Sequence, residues 1–217
     1  MDTVNNSEYR TMFDIAAFLK DVSFYMLPKE YRTQDNLERI ALLADIYGIS
    51  MDKMRNYIAK TVNTGRFDLE FLKGFCSRAK IDFTENDETD YNVPCVLYLM
   101  SLQKGKDVTP YDKAMLYSLS TDYHLSPQVI NALLRFSLKR CDNRLIKNYV
   151  YAAASDLYRN DVKTAEEVEK WFDFIQKKNK KQNHRQVVDL PVYDTSKNAA
   201  MSKKEEEEIL ALMGKLK

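Results

Sequence analysis

The chemistry-bearing residues of this chain are sparse: two histidines, His124 and His184, and three cysteines, Cys76, Cys95 and Cys141. Neither histidine stands near a cysteine, serine or carboxylate in a nucleophile or zinc spacing, and no glycine-rich phosphate loop occurs. The expectation is a non-enzymatic protein with no catalytic residue, metal or cofactor. The thiols are odd in number and widely spaced, as suits reduced, buried cysteines rather than a disulfide framework.

What the residue types do support is contact with a polyanion. The whole chain carries a net charge of +1, too little to steer one, so any such site must be local. Between residues 139 and 185, twelve Lys/Arg meet seven Asp/Glu, a local excess of +5. Lys139, Arg140, Arg144, Lys147, Arg159 and Lys163 surround Tyr149, placing cations that can hold phosphates beside a ring that can stack a base. Leu145, four residues before Tyr149, makes a core position equally compatible with that tyrosine. Any one of these cations could equally belong to a solvated face. Lys177, Lys178, Lys180, Lys181 and Arg185 form a second basic run, read as a flexible arm able to follow a phosphate backbone. Trp171 falls on an apolar stripe and reads as core.

The elements that must carry these residues are helical. The 217 residues include only 5 Gly and 5 Pro against 9 Met, 10 Phe and 14 Tyr, which leaves few turn-makers and predicts an all-α fold. A pattern repeats at an offset of 76 positions: Tyr47 pairs with Tyr123, Ser50 with Ser126, Leu69 with Leu145 and Phe75 with Tyr151. Met54, Ile58 and Val62 recur as Ile130, Leu134 and Leu138, each set on one helical face. Ser50 and Ser126 stand at N-cap positions, Pro127 at a first helical turn, and Gly65 and "KRCDN" at the breaks that follow. Upstream, Ile40, Leu43, Ala44 and Tyr47 stripe one helix; Leu116, Leu119 and Tyr123 stripe its counterpart, opened by "TPYD".

Two tandem helical domains are therefore expected: residues 1–82, with a leading helix from about Glu8 to Met26, and residues 94–178, joined by an acidic linker at 83–93. A capping box at Thr164 and Glu167 opens a last helix. A polar linker at 179–198 and an amphipathic tail at 199–217 follow. In the tail, Ile209, Leu210, Leu212, Met213 and Leu216 are candidate partner-binding residues on a helix too short to stand alone in water. No run reaches the ~20 apolar residues of a membrane span and no signal peptide is visible, so a cytoplasmic location is expected.

The stretch from "VPCVLYLMSLQKGKDVTPYD" through "SPQVINALLRF", with Val129-Ile130-Asn131, then the tyrosine helix at Tyr149 and "DVKTAEEV", resembles the DnaD/DnaB family of Gram-positive replication-initiation proteins. The tandem pattern is most like the helicase-loading, membrane-attachment DnaB, which is not the replicative helicase. That resemblance covers about residues 30–175. It implies a non-enzymatic, oligomeric primosome protein that binds DNA, single strands favoured over double, and meets the helicase, its loader and a DnaD-like protein. It further implies association with the nucleoid, and with the membrane only through partners. In the family's single-strand signature a Tyr, an Ile and a Trp follow at four-residue steps. Here Tyr149 keeps its place, while Ala153 and Leu157 replace the other two, removing a stacking platform worth roughly 1–3 kcal/mol per base. The family's winged-helix domain is not recognisable ahead of Glu8.

Overall fold

The computed structural model describes residues 11–62 and 67–183. Nine α-helices and no strand occur among them: α1 (Ile15–Asp21), α2 (Gln34–Tyr47), α3 (Met51–Val62), α4 (Leu69–Arg78), α5 (Cys95–Leu102), α6 (Pro110–Thr121), α7 (Pro127–Arg140), α8 (Lys147–Arg159) and α9 (Ala165–Asn183). A 3-10 turn at Lys29–Tyr31 links α1 to α2.

The repeat is written into the helix ends. Thr33 caps α2 by accepting the Asn36 N–H, and Thr109, 76 positions on, caps α6 by accepting that of Asp112. Ser50 accepts from Lys53 N–H at the start of α3, and Ser126 accepts from Val129 N–H at the start of α7. Gly48 ends α2 in the left-handed region at φ 68°, where its N–H donates to the Ala44 carbonyl. His124, its counterpart, holds the same unusual region at φ 53°. Glycine takes that conformation at no steric cost, so its retention at a histidine shows that the chain geometry, not the residue, is what the two sets share. Gly65 and the break around it lie outside the described residues.

The expected division into two separately cored domains is not what forms. The described residues up to Ile175 belong to one compact unit. Within it α2 packs on α5 and α6 and α4 packs on α6, so both helix sets feed a single core that includes Phe18, Ile46, Met54, Leu72, Leu99, Leu116, Leu134 and Leu157. Lysines tie the sets together. Lys113 on α6 donates to the carbonyls of Ser77 and Ala79 at the end of α4, orphan acceptors that α4 itself cannot satisfy. Tyr47 stacks on Tyr117 across the same junction, with centroids 6.3 Å apart.

Nor is the acidic segment 83–93 a spacer. The buried Asn131 of α7 donates from Nδ2 to the carbonyls of Tyr91 (3.1 Å) and Val93 (2.6 Å). The Tyr91 hydroxyl accepts from Arg135 of α7 and donates to Glu169 of α9, both at 2.8 Å. The segment is a strap fastened over α7 and α9.

The leading helix is also shorter than its apolar stripe suggests. Asp14 caps it late, accepting the Ala17 N–H, and Val22 is extended with its carbonyl taken by Arg32 at 2.6 Å. Two competing hydrogen bonds thus cut the pattern to seven residues. At the other end α9 runs to Asn183, past Lys178, where a polar linker was expected. Polar residues alone do not end a helix that lacks a glycine or proline stop. The capping box that opens it forms as expected: Glu167 N–H donates to Thr164 Oγ1, and Glu167 Oε2 accepts from Thr164 N–H. Burial raises the Cys76 thiol to about 12 and holds Cys95 well above its usual value, so both are small buried apolar groups, and all three described cysteines are free thiols.

Candidate nucleic-acid interface

Lys139 and Arg140 end α7, where cations are favoured by the carbonyls and the negative dipole end of the helix. The chain then reverses in very few residues. Asp142 (φ 52°) and Asn143 (φ 59°) are successively left-handed, a conformation that their short polar side chains tolerate best among non-glycine residues. The turn is closed by Asn143 N–H donating to the Leu138 carbonyl at 2.8 Å. This hairpin delivers Arg144 and the start of α8 to the cationic end of α7.

Four of the predicted cations are therefore gathered at one end of the α7–α8 pair. Lys139, Arg140 and Arg144 are exposed there and form no ion pair among the described residues. Lys147 differs: its ammonium pairs with Asp112 of α6 at 3.2 Å and lies 5.2 Å from the ring centre of Tyr111. A charge so held has already exchanged part of its solvation and is less available to an incoming anion than an unpaired one. The N-terminus of α8 adds to the field. Its cap residue is Ile146, which offers no side-chain oxygen, and its first turn carries no acid. The first N–H groups of α8 are left with no side-chain cap beside Arg144 and Lys147, an arrangement suited to an anion.

Tyr149 is half-buried and packs against the core. Burial raises its hydroxyl pKa, an effect that the positive charge of Arg140 partly offsets. Ala153 and Leu157, the other two positions of the family signature, are buried. That stripe of α8 faces inward and cannot present a stack of bases. The exposed aromatic at this end is Tyr111 on α6, 80% accessible, with Ile146 also exposed. The sequence masks Tyr111, because "TPYD" reads as capping chemistry. The available signal was its place off the Leu116–Leu119 stripe, in the first turn of an amphipathic helix.

Arg159 and Lys163 do not join this surface. Arg159 closes α8, about 18 Å along the helix from Lys147 at about 1.5 Å per residue, and pairs with Asp156 at 3.5 Å. Lys163 lies beyond it and pairs with Asp161 at 3.1 Å. The two ends of a 13-residue helix cannot serve one patch. Lys177 is exposed on α9, and Lys178, Lys180 and Lys181 lie on its helical continuation rather than on an irregular arm. Arg185, His184 and the tail residues Ile209, Leu210, Leu212, Met213 and Leu216 lie outside the described residues. Trp171 is partly buried, edge-on to Phe172, and takes a core position as expected. His124 stands at the far end, its ring 6.0 Å from that of Tyr158.

Residues 99–171 match a family model described as replication initiation and membrane attachment, an interval running from within α5 into α9. It contains the strap-holding Asn131 and the whole α7–α8 hairpin. No solved structure matches the chain.

Proposed function

We propose that this chain, whose residues 99–171 match a family model described as replication initiation and membrane attachment, is a non-enzymatic assembly factor of the DnaD/DnaB kind whose α7–α8 end grips single-stranded DNA. The observation behind this reading is the grouping of three unpaired cations, Lys139, Arg140 and Arg144, with an uncapped helix N-terminus and the exposed ring of Tyr111. Flexible single strands suit such a patch better than a duplex, because one tyrosine can stack an unpaired base but cannot enter a paired one. Fluorescence anisotropy with a labelled single-stranded oligonucleotide across a salt series tests it. If three phosphates are neutralised, the logarithm of affinity should fall against the logarithm of salt with a slope of about −2, at about 0.7 per phosphate on a single strand. A flat salt response would remove phosphate contact as the driver.

A role in replication initiation, as the matched family model describes, implies protein partners. The finer reading is that these are the helicase, its loader, a DnaD-like protein and further copies of this chain. The isolated amphipathic pattern of the tail supports a contact through Ile209, Leu210, Leu212, Met213 and Leu216. Deleting residues 199–217 is expected to abolish such binding and shift the melting temperature by no more than about 1–2 °C; a larger loss would mean that the tail stabilises its own fold. Among the described residues no helix is long and apolar enough to cross a membrane. Attachment to a membrane, named in the family description, is accordingly proposed to run through partners.

A further inference from the structure

At the opposite end of the α7–α8 pair from the cations lies an open groove of about 1100 Å³. Its apolar floor includes Leu42, Leu69, Tyr117 and Tyr123, and the Tyr158 ring, 55% exposed, stands at its edge. Six carboxylates line it: Asp35, Glu38, Glu70, Asp90, Asp161 and Glu166. Only two cations do, Arg39 and Lys163, so the lining holds an excess of four negative charges. Both cations are already paired, with Asp35 at 3.0 Å and Asp161 at 3.1 Å. Glu38, Asp90 and Glu166 have no ion pair among the described residues.

We infer that this groove is a docking site for a Lys/Arg-rich segment of a partner protein, with an aliphatic or aromatic residue seated on its floor. The charge decides the occupant. A nucleic acid would bring phosphates against an uncompensated acidic wall and is repelled. Among the described residues no group of three potential ligands gathers to hold a metal ion, so the acids are spread as a row of separate counter-charges. A peptide with several basic side chains matches such a row, and tyrosine faces add favourable sites for guanidinium and ammonium groups. The strap contributes Thr89, Asp90, Tyr91 and Asn92 to the wall, and Asn131 and Arg135 hold it there, so the groove is built before any partner arrives. The site is independent of the DNA reading, since none of the cations Lys139, Arg140, Arg144 or Lys147 lines it.

The test uses the full chain and three labelled probes: a set of short Lys/Arg-rich peptides carrying one leucine or tyrosine, the same peptides with Glu in place of each basic residue, and a single-stranded oligonucleotide. Basic peptides should bind in a salt-dependent manner and acidic ones should not. The E38K/E166K variant should weaken the basic peptides about tenfold or more, E38Q/E166Q by less, and neither should weaken the oligonucleotide. Both positions are exposed, and circular dichroism melts confirm folding. Failure of every basic peptide, equal binding of acidic ones, or indifference to E38K/E166K would each overturn the assignment. So would loss of the oligonucleotide alone. Light scattering covers the remaining occupant: an assembly that dissociates in E38K/E166K would make the groove a contact between copies instead.

Discussion

Asn131→Leu is expected to lower the free energy of unfolding by about 2–4 kcal/mol, with the midpoint of urea denaturation moving accordingly. The leucine has nearly the same volume, so the loss arises from two strap carbonyls, those of Tyr91 and Val93, that lose their only described donor. An unmatched buried acceptor costs about 1–3 kcal/mol, and the Tyr91 carbonyl, partly accessible, recovers some of this from water. A small gain offsets part of it, because Asn131 Oδ1 has no hydrogen-bond partner among the described residues and leucine removes that group. For a unit of this size the melting temperature should fall by about 5–12 °C. The change also bears on the acidic groove, whose wall includes the strap. Basic-peptide binding should weaken in the same variant at temperatures where it remains folded. A stability change below about 1 kcal/mol would show that water satisfies the strap and that Asn131 does not fasten it.

The second large effect is on DNA. Reversing two cations in Arg140→Glu with Arg144→Glu should lower affinity for a single strand by about 100-fold near 0.1 M salt and flatten the salt slope by about 1.4, two phosphate contacts at about 0.7 each. Both side chains are exposed, but Arg140 sits on the C-terminal dipole of α7, so a stability cost of up to about 1 kcal/mol is expected alongside. The Ala pair separates the two terms: it should lose most of the affinity with little change in stability. Lys147→Ala should cost less affinity than either arginine change, because its charge is shared with Asp112. Tyr111→Ala should weaken binding by about 1–3 kcal/mol, the worth of one stacked base. Equal effects of Arg144 and Lys147 would mean that the Asp112 pair does not restrain the lysine.

The capped starts of α3, α6, α7 and α9 and the 76-residue period were legible without coordinates, and each for a local reason. A cap such as Thr109 or Ser126 reaches an N–H two or three residues away, and an apolar stripe such as Met54, Ile58 and Val62 needs only one helix to define it. The all-α class and the resemblance to a replication-initiation family, whose model matches residues 99–171, rest on the same local signals. Whether two repeats make two domains is a different kind of question. The answer depends on α2 finding α5 and α6, and on Lys113 finding the end of α4, contacts between residues tens of positions apart that no periodicity encodes.

The basic cluster was divided for the same reason. In sequence, Lys147 and Arg159 both read as cations flanking Tyr149. Folding gives Lys147 a carboxylate 35 positions upstream, buries Ala153 and Leu157, leaves Tyr111 in solvent, and puts Arg159 and Lys163 at the opposite end of α8 from Arg140. The acidic groove is the extreme case: its six carboxylates come from α2, α4, the strap, the turn after α8 and the start of α9. Composition supplies the charges, but their sum at any point in space is a property of packing. The chain's residues thus determine which helices form, while the tertiary arrangement decides which charges remain unpaired, because Coulomb energy follows distance through the fold and not separation along the chain.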